Sequence, residues 1–399
     1  MSAAPAPARQ LEGIRVLDLT NILSGPYAAF QLALLGAEVI KVERPDGGDL
    51  ARKLGADPAL NEQMMGTSFL AQNAGKKSVT LDLKKPEGRA LFRRLAATAD
   101  VLIENFRPGV MDRLGLGYET LAQDNPGLIY CAITGFGQEG PLSGNPAYDQ
   151  IIQGYSGVMS ITGDAQSAPL RVGYPLCDTL GGLTAAFAIS SSLYGRDRTG
   201  KGCFIDVSML DATLSAMGWA VSNYLIAGVE PRPLGNQNMT AAPSGAFTAA
   251  DGQINVAANK QEQFEALCEA MGLPELMEDP RFAEREARKR HREELNAILN
   301  RVFATRPGAE WEELLNRANI PAGRILTIPQ ILDHPQTRQR NFLQETGGIT
   351  VARSGFLMAD AQPSAACPPP RLGEHSGEIL GSLGVDEAEL ERLRDAGVV

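Results

Sequence analysis

Asp178 stands in the segment L-C-D-T-L-G-G at 176–182, between apolar side chains and a Gly-Gly pair that reads as the opening of a helix. A carboxylate in that setting has two uses. It caps the helix by accepting backbone N–H bonds, or it attacks an electrophilic carbon as a nucleophile, with the glycines leaving room for a bulky substrate. Upstream, Arg171 in P-L-R-V-G at 169–173 is an isolated charge among apolar and small residues. A buried guanidinium demands an anion, and either the free end of a dicarboxylic acid or an internal partner, Asp149 or Asp164, meets that demand. Arg44 and the Lys76-Lys77 pair taken singly fit a surface ion pair and a solvated turn.

Such residues need a scaffold, and the chain supplies one by alternation. Short apolar runs at 14–19, 37–42, 78–83, 101–104 and 128–133 read as buried strands, with helical pattern at 27–35 and 88–97 between them. This predicts the α/β class, with an open Rossmann-like parallel sheet and ligands at the carboxyl ends of its strands. A buried helix is expected from 183 to 194, a strand at 203–207 and a helix from 209 to about 225. Residues 228–244 are rich in Pro, Gly and Asn and mark a linker, 245–259 read as a hairpin around Asp251-Gly252, and 261–317 are helical and charged. The expected organisation is a large domain over 1–225, completed by about 330–399, and a small α+β domain over 226–329. The basic run at 285–292 reads as a solvated helix face.

Composition narrows the function classes. With 37 basic and 47 acidic residues and a net charge of −10, the chain as a whole repels nucleic acid and anionic membrane. No apolar run reaches the roughly 20 residues that span a bilayer, and the start lacks a hydrophobic signal segment, so a cytoplasmic protein is expected. The five cysteines, Cys131, Cys177, Cys203, Cys268 and Cys367, are scattered without C-x-x-C spacing, which predicts buried free thiols and no thiolate metal site.

Several segments occur in a family order. They are L-E-G-I-R-V-L-D-L-T at 11–20, S-G-P at 24–26, L-G-A-E-V-I-K-V-E-R-P at 35–45, E-N-F-R-P-G at 104–109, R-T-G-K-G at 198–202 and P-P-R-L-G-E-H at 369–375. Together with the stretch 148–182 they resemble the family III CoA-transferases of the formyl-CoA transferase (CaiB-BaiF) type. The resemblance runs from about Leu11 to about Gly384 and places the family's nucleophilic aspartate on Asp178. It implies an enzyme that exchanges CoA between carboxylic acids through an aspartyl–acyl anhydride and an aspartyl-CoA thioester, with acyl-CoA as substrate and no tightly bound cofactor or metal. It places CoA against Leu23, Ser24, Arg44, Asn73, Lys76, Asn105, Phe106, Arg107 and Arg113, and it puts Asp149 where a second acid orients the incoming carboxylate. It also implies an interlocked homodimer, with no nucleic-acid or membrane partner.

The likeness is greatest to the branch that uses succinyl-CoA with dicarboxylic acids, with A-N-K-Q-E-Q-F at 258–264 and N-Y-L-I at 223–226 contributing and Arg171 as the reader of the remote carboxylate. The formyl-CoA branch covers its intermediate with a run of consecutive glycines. That run is missing from 235–245, which weighs against such a loop and against formate or oxalate as the acid. α-Methylacyl-CoA racemases share the fold but need a histidine base, and Tyr148 occupies that slot; a phenol titrating near 10 is a poor base at neutral pH. An inactive CoA-binding protein is the remaining alternative, and the presence of Asp178 argues against it.

Overall fold

The computed structural model describes residues 9–399. Six strands, β1 (Arg15–Asp18), β2 (Glu38–Glu43), β3 (Lys76–Thr80), β4 (Val101–Glu104), β5 (Ile129–Thr134) and β6 (Cys203–Ser208), pair entirely in parallel in the order β3-β2-β1-β4-β5-β6. The central strands β4 and β5 are short, apolar and buried on both faces because helices cover both sides, whereas the edge strand β6 leaves Phe204 exposed. On one face Leu17, Leu102, Tyr130 and Ala132 pack with Phe92 and Leu95 of the helix Pro86–Ala96. On the other, Val16, Val101, Ile129 and Cys131 pack with Ala28 and Leu32 of the helix Ser24–Leu34 and with Cys177 and Ile189 of the helix Leu176–Thr199. Each fully buried aliphatic side chain contributes about 1.5–3 kcal/mol. Strand order reverses between β1 and β4, and that switch point opens a crevice at the carboxyl edge.

Three elements depart from expectation, each for a local reason. The strand expected from 78 begins at Lys76, whose ammonium is fully buried on an aspartate of β1. The helix expected from 183 begins at Leu176, so Asp178 sits inside its first turn and the Gly-Gly pair lies within the helix rather than at its start. A Cβ on Gly182 would lie 2.4 Å from the Ser24 carbonyl oxygen. Gly182 therefore serves the close packing of this helix on the Ser24–Leu34 helix. The helix expected from 209 to 225 is divided into Met209–Ala216 and Gly218–Ala227.

The Leu176–Thr199 helix is, against the expectation of no such run, long and apolar enough by length and composition to cross a membrane. Its Ala185, Ile189 and Leu193 pack into the core of the large sheet.

Contacts divide the chain into two compact units, one holding the sheet with Arg171–Val229 and Gln336–Val399, the other comprising Met159–Leu170 and Glu230–Pro335. In the second unit, β7 (Ser244–Ala249), β8 (Gly252–Ala257) and β9 (Ala322–Arg324) form an antiparallel sheet over a core that includes Phe247, Phe264, Phe303 and Trp311. The basic run does not form a wholly solvated face. Arg288 is fully buried, donating to the carbonyls of Ala242, Phe282 and Ala283 and to Gln261, with its guanidinium 4.1 Å from the Phe264 ring centroid. The five cysteines are free.

Candidate active site at the switch point

The loops after β1 to β4 enclose a cleft of about 820 Å³. Its lining combines apolar surface, including Leu19, Val42 and Phe106, with the exposed cations Arg44, Lys84 and Arg113. Cationic heads over apolar walls suit an elongated ligand with both phosphates and a ring. A second cavity of about 280 Å³ adjoins it, sharing Asn21 and Phe106, and contains Leu23, Ser24, Arg107, Tyr148 and Asp178. A long ligand lying in the cleft can thus present one end to Asp178.

The wall between the two cavities is held from below. Asn105 grips Asn21 at both backbone groups, accepting its N–H at 2.9 Å and donating to its carbonyl at 2.9 Å. Ile22 follows at φ +71°, a left-handed conformation that a β-branched residue adopts only under constraint. The constraint is Asp49, whose carboxylate accepts the Ile22 N–H at 3.0 Å. Lys41, fully buried, sits 3.0 Å from the other Asp49 oxygen and donates to the Thr20 carbonyl at 2.8 Å. Lys76 donates to Asp18 at 2.8 Å and to the Pro26 carbonyl at 2.9 Å.

These contacts bear on three expectations. Lys76 cannot meet a ligand phosphate, because it is sealed under the wall as the partner of Asp18. Asn73 is fully buried, donates to the Phe69 carbonyl and lines neither cavity. Asn105 lines the cavity, but its side-chain amide is occupied by the Asn21 backbone. Phe106 and exposed Arg107 do face the cavity, and the Phe106 N–H is fixed at 2.7 Å by Glu104, which burial pushes up to about 8.

Asp178 is partly buried, and burial first, then the charge of Asp149, raises its carboxyl to about 7. Asp149 is the first residue of the short helix Asp149–Tyr155 and is itself buried. One of its oxygens accepts the Cys177 N–H at 2.8 Å and lies 3.5 Å from the Asp178 nitrogen; the other accepts from Gln153 at 2.7 Å. It therefore caps the helix that carries Asp178. Arg171 lies 3.8 Å from Asp149 with its side chain 47% exposed, so it is not the buried charge its apolar neighbours suggested. Asp164, the other offered partner, is turned to Ser167 instead.

Sequence reasoning missed Gln153, Asn21, Ile22, Lys84 and Glu104. Only Gln153 had a signal, its i,i+4 spacing from Asp149 on a helix. Tyr148 is 66% exposed and lines the Asp178 cavity, and no histidine lines it. His375 instead accepts the Ser78 N–H at 3.3 Å. Among the described residues no group of three His, Cys, Asp or Glu could hold a metal ion.

A family model for CoA-transferase family III matches residues 11–376. The chain is 40% identical over 389 residues to an acetyl-CoA:oxalate CoA-transferase of Acetobacter aceti, covering 96% of this chain and 98% of that one. It is 38% identical over 397 residues to a succinyl-CoA:glutarate CoA-transferase of Mus musculus, covering 98% and 90%. A CAIB/BAIF family protein from Brucella suis superposes with a TM-score of 0.84 at 36% identity, over 94% of this chain and 100% of that one.

Proposed function

Starting from the premise that the chain belongs to CoA-transferase family III, we propose that it passes CoA from succinyl-CoA to a dicarboxylic acid through covalent intermediates on Asp178. Its general activity follows from the family: it is a transferase acting on acyl-CoA thioesters and carboxylic acids. The observation that carries the finer reading is the placement of Asp178 in a cavity that shares Asn21 and Phe106 with a larger cleft bearing Arg44, Lys84 and Arg113.

An Asp178 carboxylate oxygen attacks the thioester carbon of the donor, the C–S bond breaks, and an aspartyl–acyl anhydride forms with CoA thiolate released. The thiolate attacks the aspartyl carbonyl, frees the donor acid and leaves an aspartyl-CoA thioester. The acceptor carboxylate displaces the thiolate again, and thiolate attack on the acceptor's own carbonyl regenerates Asp178. No proton is moved in any step. Only ionised Asp178 attacks, so a carboxyl held near 7 makes transfer rise with pH across neutrality. Abstraction of a carbon-bound proton needs a second base, and the neighbouring Asp149 is engaged by the Cys177 N–H and Gln153 while Tyr148 stands in the histidine slot.

Arg44, Lys84 and Arg113 hold the phosphates, Phe106 and Arg107 border the reacting end, and Asp149 positions Asp178 rather than the acceptor. The oxalate and glutarate transferases named above support a dicarboxylate acceptor, and the former removes the missing glycine run as an argument against oxalate. The expected assembly is an interlocked homodimer, for which the exposed Phe187, Trp219, Leu225 and Ile226 supply apolar surface; a monomer in solution light scattering would refute it.

The decisive experiment incubates the enzyme with succinyl-CoA alone and maps the resulting mass adduct, trapped with hydroxylamine. Label on the peptide at Asp178, followed by CoA transfer to oxalate or glutarate but poorly to monocarboxylates, is expected. Label on Cys177, or transfer confined to monocarboxylates, overturns the reading.

A further inference from the structure

Three successive backbone N–H groups in the wall between the two cavities are each taken by a side chain from a different strand end. Asp18 accepts from Thr20 at 2.9 Å, Asn105 from Asn21 at 2.9 Å and Asp49 from Ile22 at 3.0 Å. Asp49 is 1% exposed; the same oxygen accepts from Ala51 at 2.9 Å, and the other lies 3.0 Å from the buried Lys41 ammonium. It borders the larger cleft and not the Asp178 cavity, which Ile22, Leu23 and Ser24 line. Ile22, at φ +71°, is strained, and such strain persists only where the surroundings over-determine it. The strained rotation is about the Ile22 N–Cα bond. Asp49 holds the amide on one side of that bond, and the helix Ser24–Leu34 anchors the chain on the other.

We infer that Asp49 is a positioning residue for the transfer reaction: its grip on the Ile22 N–H keeps Leu23 and Ser24 in the wall of the Asp178 cavity, and turnover depends on that grip. The inference rests on the Asp178 assignment proposed above and deepens it. Released from Asp49, Ile22 falls back to a negative φ, because a β-branched residue is disfavoured in the left-handed region. The backbone between Asn21 and Ser24 then reorients, and the thioester is no longer presented to the carboxylate in the reactive geometry.

Asp49→Ala removes the acceptor, whereas Asp49→Asn keeps an oxygen for the Ile22 N–H and removes only the charge that faces Lys41. Both should lower Tm, because both weaken the pairing of a buried ammonium. Only Asp49→Ala should lower kcat strongly, by at least about tenfold, with the KM for succinyl-CoA and the kcat of Asp49→Asn each within about threefold of the parent. In an Ile22→Gly background, where glycine takes a positive φ unaided, Asp49→Ala should cost a further factor of less than about three. Unchanged kcat in Asp49→Ala, equal losses in the Ala and Asn variants, or the same loss in both backgrounds overturns the inference. If Asp49→Ala does not fold, Lys41→Met/Asp49→Ala against Lys41→Met/Asp49→Asn repeats the comparison without the stranded charge, and equal kcat again overturns it. Adduct mapping separates the two readings. If the parent enzyme labels at Asp178 while the Ala and Asn variants lose kcat equally, this inference alone fails; if the parent does not label there, the Asp178 assignment fails and this inference falls with it.

Discussion

Two groups of buried carboxylates lie at the same edge of one sheet and have opposite fates. Burial alone would raise Asp18, but Lys41 and Lys76, together with hydrogen bonds from Lys76 and Thr20, pull it down to about 2. Asp178, only partly buried, is also penalised by burial, but with no lysine beside it and a second carboxylate nearby it rises to about 7. The contrast is one of partners, not residue type. Where cations face the carboxylate it becomes scaffold that braces the wall of the site, and where they are withheld it stays poised near neutrality.

The largest effect should come from removing the poised group. Asp178→Asn is expected to lower transfer by at least about 10³-fold and to abolish the adduct. The same variant should be more stable than the parent, in a pH-dependent way. The folded carboxyl titrates near 7 against an ordinary 3.8, so the folded chain holds its proton more tightly and loses stability as pH rises between those values. Thermal melts should therefore show a gain in Tm that is absent at the acid end of that window and largest above its upper end. A constant gain at every pH would mean that Asp178 is not the perturbed group.

Next in size is the braced group. Asp18→Asn strips a buried anion from two buried lysines and is expected to cost about 3–5 kcal/mol in urea unfolding. Its depressed carboxyl contributes stability above its unfolded value of 3.8 that is lost as pH falls toward about 2, the reverse of Asp178. A loss under about 1 kcal/mol would show that the lysines do not depend on it.

Asp149→Asn sharpens the contrast at lower amplitude. It keeps an oxygen for the helix cap but removes the neighbouring charge, so the acid limb of the pH–rate profile should move to lower pH with transfer reduced less than about tenfold. An unmoved limb would assign the raised carboxyl to burial alone. Smallest is Arg171→Ala, expected to lower kcat/KM about two- to fivefold with dicarboxylates and hardly at all with monocarboxylates, because a half-exposed guanidinium is screened by water. Equal losses for both acid classes would leave Arg171 as the counter-ion of Asp149.

Much of the fold follows from local pattern. The apolar runs in the first half of the chain became strands of one parallel sheet because a short run buried on both faces can be little else between helices. The segment around Asp178 and its resemblance also singled out the residue that the cavity presents. What the sequence could not contain was partner choice. Lys76 and Arg44 read alike as family-pattern cations, yet one is sealed against Asp18 and the other borders the cleft. Asn105 reads as a ligand contact and also holds Asn21, and Asp149 reads as a catalytic acid and also accepts a backbone N–H of the helix that begins at Leu176. Those outcomes depend on pairings such as Asp18 with Lys76 and Asn21 with Asn105, residues far apart along the chain. Local propensity and charge are properties of the sequence itself. Whether a charge meets a counter-ion, water or substrate is decided only when the sheet brings its strand ends together.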